Sequence, residues 1–125
     1  MIVTGFYIAL IIMTENGLVV PPAEAGNTRL PVLDATEQKI VNHGLQEHGV
    51  AELEEVISGR GIALVNEVLY SVLILSSQDK NDLGQSNRKA GHVIDVFCGF
   101  SGSYVGDLAF TTLPDGGCFL LGEVV

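Results

Sequence analysis

TENGLVVPPAEAGNTRLPVLDATEQKIVNHGLQEHG, residues 14–49, changes character twice, and both changes bear on the fold. Its first part is a hairpin. Thr14-Glu15-Asn16-Gly17 separates the apolar run 6–13 (FYIALIIM) from Leu18-Val19-Val20, and Asn-Gly is a strong hairpin signal because both residues accept positive φ at low cost. Pro21-Pro22 ends the second strand, since proline lacks an N–H and biases the residue before it to extended backbone. The segment holding Glu24 and Asn27 is therefore expected as an extended loop. The last part is a helix. Asp34 can cap free N–H groups, Glu37 stands three residues on as in a capping box, and Ile40, Val41 and Leu45 recur at helical spacing. This predicts a helix over 34–47, closed by Gly49.

Upstream, MIVTGFYIALIIM lacks a basic n-region and a small-residue cleavage site, and at 13 residues it is too short to span a bilayer. Its Ile, Val and aromatic content predicts a buried strand. Downstream, a short helix is expected over 52–57, ended by Ser58-Gly59. A third is expected over 62–75, with Leu64, Val65, Val68, Leu69, Val72 and Leu73 as its apolar face. Residues 76–87 (SSQDKNDLGQSN) read as a surface loop. From Arg88 to Thr111 the pattern is helical, with Ile94, Phe97, Cys98, Val105 and Leu108 inward. Gly102 and Gly106, four apart on one face, would let another backbone pack closely. Pro114-Asp115-Gly116-Gly117 is a turn and CFLLGEVV, 118–125, a final buried strand. The order β-β-α-α-α-α-β describes one α/β or α+β domain over 1–125.

With 125 residues and 47% hydrophobic content the chain can build a real core. The net charge of -9 leaves only Arg29, Lys39, Arg60, Lys80, Arg88 and Lys89 as basic groups, which argues against nucleic acid or an anionic membrane as a main partner. Cys98 and Cys118 form neither a zinc pattern nor a disulfide framework, and are expected as small core thiols in a reduced, cytoplasmic setting. His43, His48 and His92 are scattered, and no metal site is expected from them. There is no P-loop, dinucleotide fingerprint or nucleophile elbow, and no catalytic residue is assigned. Glu24 and Glu54 are the carboxylates singled out. A pair at a cleft could bind sugar hydroxyls, serve as acid and base, or hold a divalent ion. Acidic residues in loops and first helical turns are more often simply solvated. Spacing alone leaves these readings open.

Residue order adds to this. The run 14–49, followed by ELEEVISGRGIALVNEVL (52–69) and FCGFSGSYVGDLAFTTLPDGGCFLLGEVV (97–125), resembles the C-terminal half of bacterial glucokinases of the hexokinase/actin-like superfamily. That family has a proline-preceded E-G-G-H segment, a helix, an E-R-V-L-S-G-P-G motif, and later a helix, a G-G turn and a strand ending in A-G-G. The order and approximate distances match over nearly all of the chain.

The resemblance implies part of a ribonuclease H-like (actin-like ATPase) domain. It also implies ATP-dependent phosphorylation of the glucose 6-hydroxyl, with magnesium on the nucleotide. Glu24 falls on the glutamate of E-G-G-H, Asn27 on its histidine, and Glu54 on the first glutamate of E-R-V-L-S-G; all three are sugar contacts in the family. Asn27 is a departure, though an amide still donates and accepts. Thr4 and Gly5 fall on part of the family's nucleotide-side G-T-G-L-G loop, whose remainder is Phe6-Tyr7 in this chain. Gly122 falls on the first glycine of A-G-G, with Glu123 in place of the second. The family's D-G-G-T phosphate loop and general-base aspartate have no counterpart, so the chain alone is expected not to turn over glucose. The alternative is a non-catalytic sugar-binding or protein-interaction module on the same fold, with a carboxylate-pair hydrolase as a remote third reading. Half of a two-domain protein exposes apolar surface, so a homo-oligomer is expected.

Overall fold

The computed structural model describes residues 6–70 and 83–122. Two short strands, β1 (Ile12–Thr14) and β2 (Gly17–Val19), are followed by a 3-10 turn (Ala25–Asn27) and four helices: α1 (Ala35–His48), α2 (Leu53–Val56), α3 (Gly59–Tyr70) and α4 (Leu83–Thr112). The expected segments 71–75 of the third helix, 76–82 of the loop and 123–125 of the last strand lie outside the described residues, as do Thr4 and Gly5.

The hairpin pairs Ile12 with Val19, Met13 with Leu18 and Thr14 with Gly17. Thr14 Oγ1 donates to the Gly17 carbonyl at 2.8 Å and accepts from Asn16 N–H at 3.2 Å. Within the hairpin turn positive φ is confined to Gly17, at 112°, and Asn16 is not in that region. The expected buried strand over 6–13 is corrected: only its end is strand, and Met13 and Leu18 are 83% and 66% exposed. A two-stranded sheet cannot cover its own faces, and a hairpin alone is marginal.

The α1 start follows the expected chemistry with one exchange of partner. Asp34 Oδ1 accepts from Thr36 and Glu37 N–H at 2.7 and 2.8 Å. The buried Glu37 carboxylate reaches back past Asp34, its Oε2 accepting from Leu33 N–H at 2.5 Å. At the other end Gly49 takes φ +73° and donates to the Leu45 carbonyl. Ile40 is buried and Val41 half-buried, while Leu45 is exposed.

The core joins Leu30, Ile40, Ala51, Leu53, Val56, Ile57 and Val65 to Val93, Val96, Phe97 and Phe100 of α4. α3 lies at its centre, against α1, α2 and α4. The stretch Asn87–Thr112 has the length and apolar composition of a membrane span, yet its buried residues pack into this core.

Several expectations for α4 and its end are corrected. Helix begins at Leu83, so 83–87 are not loop: Gln, Ser and Asn carry only a modest helix-propensity penalty, far below that of proline. Ile94 and Cys98 are exposed, and so is Cys118; neither thiol is a core residue. Among the described residues no atom lies within 4 Å of the Cβ positions of Gly102 and Gly106, and no backbone packs there. Gly99 is the close one: a Cβ on it would lie 3.2 Å from Glu37 Oε1. After the turn, in which Gly117 N–H donates to the Pro114 carbonyl at 2.9 Å, residues 118–122 form no strand, with Phe119 and Leu121 82% and 92% exposed. A strand needs a neighbour for its N–H and C=O groups, and no described element supplies one to this segment.

Candidate functional site

Glu24 and Glu54 are 30 positions apart in sequence, and what joins their surroundings is the turn that begins at Glu24 and rests on Glu54 through Gly26. Pro21 and Pro22 deliver the chain to a single 3-10 turn rather than the expected extended loop. Within it Asn27 N–H donates to the Glu24 carbonyl at 3.3 Å and Thr28 N–H to that of Ala25 at 3.0 Å. Beyond the turn the chain is zippered to the segment leading into α2. Leu53 N–H donates to the Thr28 carbonyl at 2.8 Å, Leu30 N–H to Ala51 at 3.1 Å, and Arg29 bridges antiparallel to Glu52. The Arg29 guanidinium also reaches Glu52 Oε1 at 3.2 Å. With Arg29 65% exposed, this pair contributes little to stability.

The zipper lays the turn on Glu54. Gly26 is buried, and a Cβ built on it would stand 2.7 Å from Glu54 Oε2, 3.2 Å from Glu54 Cβ and 3.1 Å from the Phe6 carbonyl oxygen. Glu54 thus lies against the backbone between Ala25 and Asn27. Glu24 and Asn27, at the two ends of that turn, are exposed, and Glu54 is half-buried. No side-chain hydrogen bond engages Glu24, Asn27 or Glu54 among the described residues. The Glu24 carboxylate and Asn27 amide on the turn, and the Glu54 carboxylate on α2 beneath it, have free lone pairs suited to accepting hydrogen bonds from ligand hydroxyls, which charge strengthens.

Glu52 and Glu55, adjacent to Glu54 in type, have other work. Glu52 pairs with Arg29; Glu55 Oε2 accepts from Glu52 N–H at 3.3 Å and its Oε1 lies 3.9 Å from His48 Nε2. His92 Nδ1 meets the Tyr70 hydroxyl at 2.5 Å. Among the described residues no three His, Cys, Asp or Glu side chains are grouped to hold a metal ion. Of the nucleotide-side residues, Gly122 sits in an exposed bend. Sequence reasoning missed Gly26 as the contact point, and also the aromatic pair Phe6–Tyr104 that abuts the turn.

Comparison with known proteins bears on this arrangement. A family model described as Glucokinase matches residues 3–125. A glucokinase-like protein of Xylella fastidiosa (strain Temecula1) is 31% identical over 129 residues, covering 98% of this chain and 39% of that protein. A glucokinase of Neisseria meningitidis serogroup B is 26% identical with the same coverage. The crystal structure of a glucokinase from an Antarctic psychrotroph superposes with a TM-score of 0.66 at 26% identity, over 86% of this chain and 36% of that one. The chain therefore spans about two fifths of the length of the relatives it matches. Matched by the family model over all but its first two residues, it belongs to the glucokinase family.

Proposed function

We propose that the chain carries the sugar-recognition part of an ATP-dependent glucose 6-phosphotransferase site, with Glu24, Asn27 and Glu54 as the groups that hold the hexose. The observation that supports this is the seating of the Glu54 carboxylate on Gly26, inside the turn bounded by Glu24 and Asn27. Each carboxylate accepts from sugar hydroxyls, and the Asn27 amide both donates and accepts. The phosphoryl donor would be ATP with its magnesium, approached by Thr4, Gly5 and Gly122. In the forward reaction the 6-hydroxyl must lose its proton to a base. None of the three sugar groups is assigned that role, so the chain by itself binds and does not catalyse. A cytoplasmic setting fits a phosphotransferase that uses ATP.

Calorimetric titration with glucose tests the binding. Glu24→Gln and Glu54→Gln are each expected to weaken affinity about tenfold or more, the usual scale for a charge-assisted hydrogen bond. Unchanged affinity in both variants would remove the assigned site. A coupled assay on the pure chain is expected to give no ATP- and glucose-dependent product, and turnover would overturn the binding-only reading.

The second reading, a non-catalytic interaction module, is favoured by one observation: Tyr7, Ile11, Met13, Leu18 and Val20 near one end, and Phe110, Phe119 and Leu121 near the other, are exposed. Apolar surface of this kind drives association. A homo-oligomer is expected by light scattering at tens of micromolar, and a monomeric mass there would count against it.

A further inference from the structure

The C-terminal side of the Glu24–Asn27 turn is tied to the α2 segment by backbone hydrogen bonds, from Thr28 onward. Its opposite side has a different support. The Phe6 carbonyl oxygen lies 3.1 Å from the Cβ position of Gly26, so the Phe6 backbone backs the turn. The Phe6 ring meets the Tyr104 ring edge-on, with centroids 5.5 Å apart and planes at 78°. The Tyr104 hydroxyl also stands 3.5 Å from Thr28 Oγ1, either group able to donate. Tyr104 projects from α4, whose Phe97 and Phe100 are fixed in the core. One side chain from a rigid helix thus touches both the residue behind Gly26 and the residue ending the turn.

We propose that Tyr104 is a positioning residue for the sugar site, holding the Glu24–Asn27 turn against Glu54 through Phe6 and Thr28. The proposal rests on the sugar-binding reading of that turn. The ring carries most of the effect. An edge-on aromatic pair at this separation is favourable, whereas O–H···O bonds run about 2.5–3.0 Å and a 3.5 Å contact adds little.

Amide hydrogen exchange and glucose calorimetry on the same variants test it. Tyr104→Ala is expected to speed exchange of the Asn27 and Thr28 amides about tenfold while α1 amides keep their rates, and to raise the glucose Kd by a factor of about five to ten. Tyr104→Phe should stay within about twofold of wild type in both readouts, since it keeps the ring. Phe6→Leu should loosen the same two amides, and combining it with Tyr104→Ala should add little, because both remove one contact. Uniformly faster exchange throughout the chain, unchanged exchange at Asn27 and Thr28, or additive effects of the two variants would each overturn the positioning role. Failure of the wild-type chain to bind glucose defeats the sugar reading instead. The exchange pattern still decides whether Tyr104 holds the turn.

Discussion

Gly61→Ala is expected to destabilise the chain more than any other single methyl addition, by about 3 kcal/mol, near the upper end of overpacking costs. The added Cβ would lie 1.9 Å from the Val56 carbonyl oxygen, 2.3 Å from its carbon and 2.6 Å from its Cα. These are backbone atoms and cannot rotate aside. Val56 ends α2, where Ile57 N–H donates to the Leu53 carbonyl at 2.7 Å and Ser58 N–H to Val56 at 2.9 Å. Gly61 N–H in turn is held by the Ser58 carbonyl and by Ser58 Oγ at 3.0 and 3.1 Å. Relief requires α2 and α3 to separate, and that opens the core around Val56 and Val65, both fully buried. Gly59→Ala is the control. It sits at the start of the same helix with no atom within 4 Å of its Cβ position, so the better helix propensity of alanine should leave stability unchanged or slightly raised. Urea denaturation of the two variants measures the contrast, and a Gly61→Ala loss below about 1 kcal/mol would contradict the close approach of the two helices.

The contrast between these glycines also marks what could be read from sequence. Features fixed by neighbours within four residues were legible: the Asp34 cap, the left-handed Gly49, the Thr14–Gly17 hairpin and the Pro114–Gly117 turn. What a glycine faces across the fold is not local information. Gly102 and Gly106 have the spacing of a packing face but no described atom lies near them, while Gly26, Gly44, Gly61 and Gly99 make the close approaches. Burial failed for the same reason. Residues 6–13 and 118–122 are apolar enough to be core, yet apolar content does not supply a covering element. In the site, motif order alone names Glu24 and Glu54 together, and the zipper that lays the turn on Glu54, between residues 28–30 and 51–53, has no signature in either segment. Tyr104, 76 positions from Thr28, had no signal that pattern reading could use.

On the proposed sugar-binding reading, Gly26→Ala is expected to cost little stability and most of the glucose affinity. The φ of Gly26 lies outside the left-handed range, so alanine is acceptable to the backbone and the consequences come from contacts. Its Cβ would stand 2.7 Å from Glu54 Oε2, closer than real Cβ contacts, and 3.1–3.2 Å from the Phe6 carbonyl oxygen and Glu54 Cβ. Two movements relieve this. Either the Glu54 carboxylate swings away, or the turn lifts and carries Glu24 and Asn27 with it, straining the Leu53 N–H bond to Thr28. The first is easy, because the offending atom is the end of a flexible side chain, so the expected stability loss is about 1 kcal/mol, the low end for overpacking. Both movements separate Glu54 from Glu24 and Asn27, so on the proposed sugar-binding reading glucose affinity should fall at least about tenfold, the loss of one charge-assisted bond or more. Gly61→Ala strains α2, which itself carries Glu54, so the control for affinity is Gly59→Ala, with no described atom within 4 Å of its Cβ position and glucose affinity expected to match wild type. A Gly26→Ala chain that binds glucose as tightly as wild type would mean that the seating of Glu54 on the turn does not shape a sugar site, whatever the fold retains.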